Sequence, residues 1–227
     1  MGDALKIAII GDYNFTYNSH HATNLSIDQC AEFLDIEINY YWIKINEAVK
    51  YKQIYFQQFD AIWIAPGPFQ NVFFLNGIFR IFLEEKIPLL ITGDAYKIFI
   101  EYMINIHQLN VLGEKLISEN LVAGSNFERV KIYPKTKEFQ KIYENFNDVE
   151  LTSSRFSFYP KLLAQLSEIS VSVDAINQFD DPEIIRLTNH PFFLACSFCP
   201  QISSTRDLPH PIIYTLLKRS IELKSVL

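Results

Sequence analysis

Short apolar runs recur along the first half of the chain, and each ends at a glycine, a proline or a polar turn. Continuous apolar runs are typical of strands buried on both faces of a parallel sheet, and strict alternation is typical of strands with one buried face. Both patterns occur here. The predicted strands are Leu5–Ile10, Ile36–Ile43, Asp60–Ala65 and Ile87–Thr92.

Between these runs the apolar residues follow a near-helical spacing, which predicts amphipathic helices. The first helix follows a polar loop, Tyr13–His21, and Thr23 or Ser26 is its candidate N-cap. The predicted helices are Ala22–Leu34, Phe73–Leu83 and Tyr96–Ile106.

Strands that alternate with helices over short connections indicate an α/β fold with a parallel sheet. Ligands bind such sheets at the carboxyl ends of the strands. The loops Gly11–His21, Ala65–Asn71 and Thr92–Tyr96 are therefore expected to meet at one rim.

The second half of the chain is less regular. It contains no repeat, low-complexity run or Ser/Gly/Pro-rich linker, so we expect a single domain over residues 1–227. The predicted elements are strands at Lys131–Tyr133, Ile169–Val173, Ile184–Leu187 and Phe192–Phe198, followed by a terminal helix over Ile212–Leu223.

Charge and composition narrow the class of protein. The formal net charge is −6 and the basic residues are scattered, which argues against a nucleic-acid partner. No apolar stretch has the roughly 18 residues of a membrane span, and the N-terminus lacks the pattern of a signal peptide. With three cysteines, an odd number, free thiols in a reducing cytoplasm are expected. We find no motif that calls for a cofactor.

The late apolar segment carries the most specific motif. His190–Gln201 reads HPFFLACSFCPQ, and Ser203–Pro211 reads SSTRDLPHP. Together they closely resemble the C-terminal signature of CTP synthase glutaminase domains, roughly H-P-[WF]-F-V-A-x-Q-F-H-P-E followed by S-x-P-x-x-P-H-P-L. These domains are a branch of the class I, triad-type glutamine amidotransferases.

Three further segments resemble that family in the same order along the chain. They match its opening strand, its P-G-G-F oxyanion loop and its I-P-x-L-G-I-C-x-G-x-Q elbow, and they are Lys6–Gly11, Ala61–Phe69 and Ile87–Asn105. The resemblance implies a flavodoxin-like three-layer sandwich with a mostly parallel central sheet.

The sequence departs from the family at the catalytic positions. In the family a cysteine attacks the glutamine amide, a histidine manages protons and a glutamate orients the histidine. The resemblance places Gly93, Cys199 and Gln201 at these three positions. Pro68 replaces the second glycine of the oxyanion loop and removes an N–H donor.

These replacements predict a domain that has lost the triad and binds a small amino-acid-like ligand or regulates another protein. Two alternatives stay open. One is an enzyme of changed chemistry on the same scaffold, and the other is a CTP-synthase-type glutamine amidotransferase, as homology alone suggests.

Two charged residues are candidates for ligand binding, together with Pro68 and Phe69 of the oxyanion loop. Arg155 matches the arginine of a family H-R-Y-E segment, where its guanidinium fork suits a carboxylate; a surface ion pair is the alternative. Asp94 follows the elbow, where it is a candidate nucleophile or general base; a helix cap is the alternative.

The loop after the first strand contains Asn14 and His20, polar groups that suit a ligand at the rim. The alternative is an Asx turn with a solvated histidine at the helix entry.

Cys196 and Cys199 form a C-x-x-C pair, a spacing found in redox and zinc sites. A spacing of three on a strand points the two side chains to opposite faces, and a single pair is weak evidence for zinc. We therefore predict no metal site, a buried Cys196, and a Cys199 at the rim as the thiol to test for reactivity. The 15% aromatic content fits either a core or an interface, so a homo-oligomer or a protein partner stays open.

Overall fold

The computed structural model describes residues 4–110, 112–118, 127–152 and 156–225. In these ranges nine strands form one mixed sheet, in the order β2-β1-β3-β4-β9-β8-β7-β5-β6. The strands are β1 (Leu5–Ile10), β2 (Ile38–Ile43), β3 (Ala61–Ile64), β4 (Leu89–Thr92), β5 (Glu128–Pro134), β6 (Val149–Thr152), β7 (Val171–Asn177), β8 (Pro182–Leu187) and β9 (Phe193–Cys196).

Helices cover both faces of the sheet. They are α1 (Asn18–Leu34), α2 (Ile45–Ala48), α3 (Gln53–Phe56), α4 (Phe73–Glu84), α5 (Asp94–Ile106), α6 (Lys137–Tyr143), α7 (Pro160–Glu168), α8 (Pro200–Ser203) and α9 (Pro211–Lys224). No helix within the described ranges is long and apolar enough to cross a membrane.

The sheet has a parallel and an antiparallel half. Strands β2, β1, β3, β4 and β9 pair in parallel with one another, as the sequence predicts. From β9 onward the pairs β9–β8, β8–β7, β7–β5 and β5–β6 are antiparallel. The carboxyl ends of β1, β3, β4 and β9 therefore form one rim, which is where ligands bind in open α/β sheets.

Successive side chains on β3 show how one strand serves two cores. Ile62 and Ile64 join the core beneath α4, α5 and α7, whereas Trp63 joins the core beneath α1, α6 and α9. All three side chains are fully buried. This period of two on a strand covered on both faces confirms the predicted three-layer α/β sandwich.

Helix α1 begins earlier than the sequence pattern indicates. Its N-cap is Tyr17, whose carbonyl oxygen accepts the backbone N–H groups of His20 and His21, so the predicted loop to residue 21 and the predicted caps are wrong. Thr23 and Ser26 lie inside the helix and donate to carbonyls three or four residues earlier. This shift turns His20 from a loop residue into a helical one.

Several elements of the second half are longer or additional. Strand β7 extends to Asn177, and the additional elements are β6, α6, α7 and α8. Polar residues hid the second part of β7, where Asp174 and Asn177 are buried. Asp174 Oδ1 accepts from the Ser172 hydroxyl, and Asn177 Oδ1 accepts from the Phe179 backbone N–H. The spacing of apolar residues does not reveal strand segments that bury polar residues.

Candidate functional site

The rim is formed by loops that follow β1, β3, β4 and β9, as expected. Two hydrogen bonds join the first two loops: the Gln70 backbone N–H donates to Asp12 Oδ2 at 3.1 Å, and His20 Nε2 lies 3.0 Å from the Gly67 carbonyl oxygen. The rim is therefore a connected structure rather than a set of independent loops.

Gly93 forms the sharp turn between β4 and α5. It is the N-cap of α5 with φ 60° and ψ −133°. Residues other than glycine adopt this backbone conformation only with strain. Its N–H points at the carbonyl oxygens of Cys196 and Phe198, at 3.0 and 3.2 Å. The elbow is thus bonded directly to the end of β9.

The surroundings of Gly93 show which group faces it and which group blocks it. A Cβ atom placed on Gly93 would lie 3.5 Å from Cys199 Sγ, so the two positions assigned to the nucleophile and the histidine are neighbours. The same atom would lie 2.6 Å from Pro66 Cβ and 3.0 Å from Pro66 Cα. The space that a nucleophilic side chain would enter is occupied by Pro66.

Cys199 is the N-cap of the short helix α8, and Gln201 lies in that helix. Both are buried, with 1% and 2% of their surface exposed. The Cys199 backbone N–H donates to the Leu151 carbonyl oxygen at 3.0 Å, which draws the residue inward between β6 and α8. Cys199 therefore lies beside the rim, as expected, with its thiol buried. Gln201 Nε2 lies 3.5 Å from the Ser19 carbonyl oxygen, and its buried Oε1 has no hydrogen-bond partner among the described atoms.

Asp94 faces the loop after β3. A Cβ atom placed on Gly67, which has φ +67°, would lie 3.2 Å from Asp94 Oδ2 and 3.3 Å from the Phe69 ring. Gly93 is the N-cap and Asp94 is the first helical residue, a position where the helix dipole favours a carboxylate. Pro68 is exposed, whereas Asp94 and Phe69 are half-buried.

His20 is 1% exposed and bonded at both ring nitrogens. Nδ1 accepts the Asn14 backbone N–H at 2.9 Å, which leaves Nε2 to donate its proton to the Gly67 carbonyl oxygen. Burial lowers the pKa of His20 below its usual 6.5, the bond to Gly67 and the Asp12 carboxylate oppose this effect, and His21 adds to it. The imidazole is therefore neutral, and the prediction of a solvated histidine is wrong for His20.

The Asx-turn alternative for Asn14 is confirmed, because its Oδ1 accepts both the backbone N–H and the hydroxyl of Thr16, at 2.9 and 2.7 Å. The His20 ring lies among aromatic side chains, 5.9 Å from Tyr13 and 5.2 Å from Trp42 between centroids. These rings contribute to the burial of the imidazole, since His20 is 1% exposed.

Cys196 is a core residue, as predicted. Its Sγ lies 3.7 Å from the Ile91 carbonyl oxygen, and complete burial, followed by the proximity of Cys199, raises its pKa well above the usual value. Within the described ranges no group of three or more His, Cys, Asp or Glu side chains is placed to hold a metal ion.

A buried polar cluster joins β6, α6 and α9, and sequence reasoning missed it. Glu150 Oε1 accepts from His210 Nε2 at 2.8 Å and from the Tyr143 hydroxyl at 2.9 Å, and Ser203 Oγ lies 3.1 Å from Oε2. His210 Nδ1 accepts the Ile212 N–H and caps α9. Burial and Glu150 raise the pKa of Tyr143 well above its usual value. The signal available in the sequence was His210 before a proline at a predicted helix start.

Of the candidate site residues, the structure brings together Gly93, Cys199, Asp94 and the loop that contains Pro68 and Phe69. His20 and Asn14 join them through Gly67. Arg155 lies outside the described residues.

Comparisons with known proteins agree with this architecture. A CTP synthase of Prochlorococcus marinus is 24% identical over 97% of this chain and 45% of its own length, and one of Thermotoga maritima is 31% identical over 40% of the chain and 18% of its length. The chain thus spans less than half the length of these relatives. No family profile matches the sequence.

Among solved structures, the acivicin-bound glutaminase domain of Trypanosoma brucei CTPS superposes with a TM-score of 0.78 at 17% identity. The match covers 96% of this chain and 94% of that domain. A putative GMP synthase protein of Thermoplasma acidophilum superposes with a TM-score of 0.66 at 9% identity, over 100% of this chain and 98% of the other. The chain is therefore a class I glutamine amidotransferase-like relative of the CTP synthases, similar to their glutaminase domain and sharing its fold.

Proposed function

We propose that this chain is a cytoplasmic glutaminase-like protein that has lost glutamine hydrolysis and binds a small amino-acid-like ligand at its rim, as a binding or regulatory protein. The observation that carries the proposal is the elbow. Gly93 lies beside Cys199, where the family has nucleophile and histidine, and Pro66 fills the space that a side chain on Gly93 would need.

The chemistry of amide hydrolysis supports the loss. A thiolate must attack, a base must move the proton, and a carboxylate must orient that base. At these three positions the chain presents no side chain, a buried thiol and an uncharged amide. None of the three steps has its usual group.

The oxyanion loop argues in the same direction. Negative charge that develops on the amide oxygen needs N–H donors aimed at it. Pro68 lacks an N–H, and the Asp94 carboxylate faces Gly67 in this loop. An anion beside the loop opposes the charge that a tetrahedral intermediate would place there.

The same carboxylate suits a cation. Asp94 is half-buried at the rim beside the half-buried Phe69 ring, so an ammonium group could pair with the carboxylate while its carbon chain packs on the ring. An amino-acid-like ligand carries such an ammonium group. We therefore assign Asp94 to the ammonium and place Phe69 under the ligand.

Ammonia release from glutamine tests the loss of hydrolysis, with an active CTP synthase glutaminase domain as the reference. We expect no release above the rate without protein and no covalent adduct with acivicin by intact mass spectrometry. Sustained release of ammonia by the purified chain would overturn the proposal and restore the amidotransferase alternative.

Calorimetry with a panel of free amino acids tests binding. Asp94→Asn is expected to weaken any binding about tenfold or more, as expected for a charge-assisted contact. Glu101→Gln is the matched control, because it removes a carboxylate from the exposed side of the same helix. Equal effects of the two substitutions would exclude the assignment of Asp94.

An enzyme of changed chemistry is the second candidate, because Asp94 and Cys199 flank the same glycine. It predicts an activity on ester or amide substrates that Asp94→Asn and Cys199→Ala each abolish. Cys30→Ala, a buried thiol in α1, is the control. An activity that survives both substitutions would remove this candidate.

A further inference from the structure

A groove lies at the amino-terminal end of β1, at the opposite end of the sheet from the rim. Its walls come from the last turns of α1 and α9, the start of β1 and the connection from α1 to β2. We call it the end groove. Its volume is about 740 Å³, which lies within the range of protein sites that hold a ligand, and it is open to solvent.

Apolar side chains from separate elements line the end groove. They are Ala4, Leu5, Ala31, Ile36 and Ile221. Leu5 is buried and the other four are half-buried, so part of their carbon surface faces the groove. An aliphatic side chain that packed here would remove this surface from water, which is favourable.

Three carboxylates border the end groove, those of Glu32, Asp35 and Glu37. Glu32 pairs with the exposed Arg206. Asp35 and Glu37 have no ion-pair partner among the residues that the structure describes. The groove therefore presents two carboxylates whose charge is not balanced by a neighbouring side chain.

Lys224 also lines the end groove but does not balance these carboxylates. Its ammonium donates to the Ala4 carbonyl oxygen and to Asp60 Oδ2, each at 3.0 Å. The same Asp60 oxygen accepts the Lys6 backbone N–H at 2.7 Å. The charge of Lys224 is thus engaged by Asp60, and Asp35 and Glu37 remain available to a cation from outside.

Two helix ends add to the negative field of the end groove. Helix α1 ends there with Asp35 as its C-cap, and α9 ends there with Ser225 as its C-cap. The carboxyl end of a helix favours cations and disfavours carboxylates. The last turn of α1 nevertheless contains Glu32 and no basic residue. These acids oppose the helix dipole, and a cation bound beside them would relieve that cost.

We propose that the end groove binds a basic segment of a partner protein, a peptide in which lysine or arginine side chains flank large aliphatic ones. The aliphatic side chains pack on the apolar lining, and the cations pair with Asp35 and Glu37. Charge complementarity excludes an acidic segment. The apolar lining favours a peptide over a small polyamine, which carries no branched side chain to bury. The end groove shares no residue with the rim, so this inference does not rest on the proposed function.

Fluorescence anisotropy with the labelled peptide K-L-R-I-K-L tests the proposal. We expect saturable binding that weakens as NaCl rises from about 50 to about 300 mM, because salt screens exposed charge pairs. The peptide K-G-R-G-K-G keeps the cations without the aliphatic side chains and should bind at least about tenfold more weakly. Absence of saturable binding at millimolar peptide would overturn the proposal, and so would equal affinities of the two peptides.

The double variant Asp35→Asn, Glu37→Gln removes the two unbalanced charges. Asp35 has φ 52°, and asparagine is accepted at a left-handed helix end, so the variant should fold. Affinity for K-L-R-I-K-L is expected to fall about tenfold, the sum of two exposed charge contacts. The midpoint of urea unfolding should not fall, because both carboxylates oppose the end of α1. Unchanged affinity would exclude the assignment of Asp35 and Glu37.

A chain with a net charge of −6 attracts basic peptides without any specific site, so the control must carry the same charge change. Glu144→Gln with Glu168→Gln meets this condition. It removes two exposed carboxylates at the carboxyl ends of α6 and α7, outside the end groove. Its peptide affinity should equal that of the wild-type chain. An equal loss in both double variants would show unspecific attraction and overturn the proposal.

Spermidine as a competitor distinguishes a peptide from a polyamine. Displacement of K-L-R-I-K-L only at a large excess of spermidine would support the peptide, whereas displacement at equal concentration would overturn it. Binding of the peptide is independent of the amino-acid panel used for the rim. Loss of amino-acid binding with intact peptide binding would therefore refute the proposed function alone.

Discussion

Two sites only nine residues apart along the chain contrast in how their polar groups are satisfied. At Gln201 the buried side-chain oxygen has no partner among the described atoms. At His210 both ring nitrogens are bonded, one to Glu150 and one to the Ile212 N–H. The resemblance assigns the first site to the catalytic machinery and the second to the region outside the triad.

The two sites differ in how strongly their buried polar groups depend on hydrogen-bond partners. Glu150 is 0% exposed, and a buried carboxylate is tolerated only when several donors surround it. His210, Tyr143 and Ser203 supply these donors, so any substitution there disturbs folding. Gln201 carries no charge, and its amide places no comparable demand on its neighbours.

The largest effect is expected at the buried cluster. His210→Ala leaves the Glu150 carboxylate short of a donor and removes the cap of α9, which should lower the free energy of unfolding by about 3–5 kcal/mol. Urea denaturation followed by circular dichroism measures it. Arg219→Ala, which breaks an exposed ion pair with Glu222, is the control and should change stability by less than about 0.5 kcal/mol. Equal losses of unfolding free energy in the two variants would contradict the stabilising role of the buried cluster.

The elbow is the next test. Gly93→Ala adds a Cβ at a positive φ and within 2.6 Å of Pro66, so we expect a loss of about 2–4 kcal/mol by the same measurement. Gly113→Ala is the matched control, because Gly113 has φ +67° but nothing within 4 Å of the added atom. The difference between the two isolates the contact with Pro66.

The same contact predicts that Gly93→Cys restores no glutamine hydrolysis, alone or with Cys199→His and Gln201→Glu. Ammonia release by any of these variants would show that the closed elbow is not what prevents the reaction.

Acid should destabilise the chain by a smaller amount. Burial lowers the pKa of both His20 and His190, and His190 also bonds a backbone carbonyl, that of Glu85, at 3.0 Å. Each group binds protons better in the unfolded chain, so stability present above pH 6.5 is lost as the pH falls below it. Denaturation between pH 7.5 and 5.0 measures the loss, and the double variant His20→Gln, His190→Gln should show a shallower dependence. An unchanged pH dependence of stability in the double variant would contradict the assignment of this effect to His20 and His190.

The smallest effect is expected at Gln201. Gln201→Leu removes a buried oxygen without a partner, so the change in unfolding free energy should stay within about 1 kcal/mol. Asn177→Leu is the control, because that amide accepts from two backbone N–H groups and donates to Glu183, and its loss should cost about 2 kcal/mol or more. A larger loss at Gln201 would show that its amide stabilises the fold.

The parallel half of the fold was readable from the sequence because β1, β3, β4 and β9 are buried on both faces and the edge strand β2 alternates. Strands buried on both faces appear as unbroken apolar runs, as at Leu5–Ile10 and Ile87–Thr92. The antiparallel half was readable only in part, because β5, β7 and β8 were predicted over part of their lengths and β6 was not predicted. Its strands β6 and β7 bury polar residues such as Glu150 and Asn177, which are satisfied by partners on other elements.

At the site, the sequence indicated which residue types stand at each position, and the structure placed Gly93, Cys199, Asp94 and Phe69 near one another. It did not indicate that Cys199 is buried, because that depends on the bond from its N–H to β6. Nor did it indicate that His20 is helical and dry, because the aromatic neighbours and Gly67 come from other segments.

The sequence by itself determined the α/β alternation, and its resemblance to the family predicts that Gly93, Cys199 and Gln201 stand where the family has cysteine, histidine and glutamate. Only the tertiary structure decided that Pro66 packs against Gly93 and that His20 bonds the Gly67 carbonyl oxygen of the same loop. Periodicity reports which face of an element is apolar. Contacts between residues tens of positions apart depend on how the elements pack, and no local pattern of the chain records them.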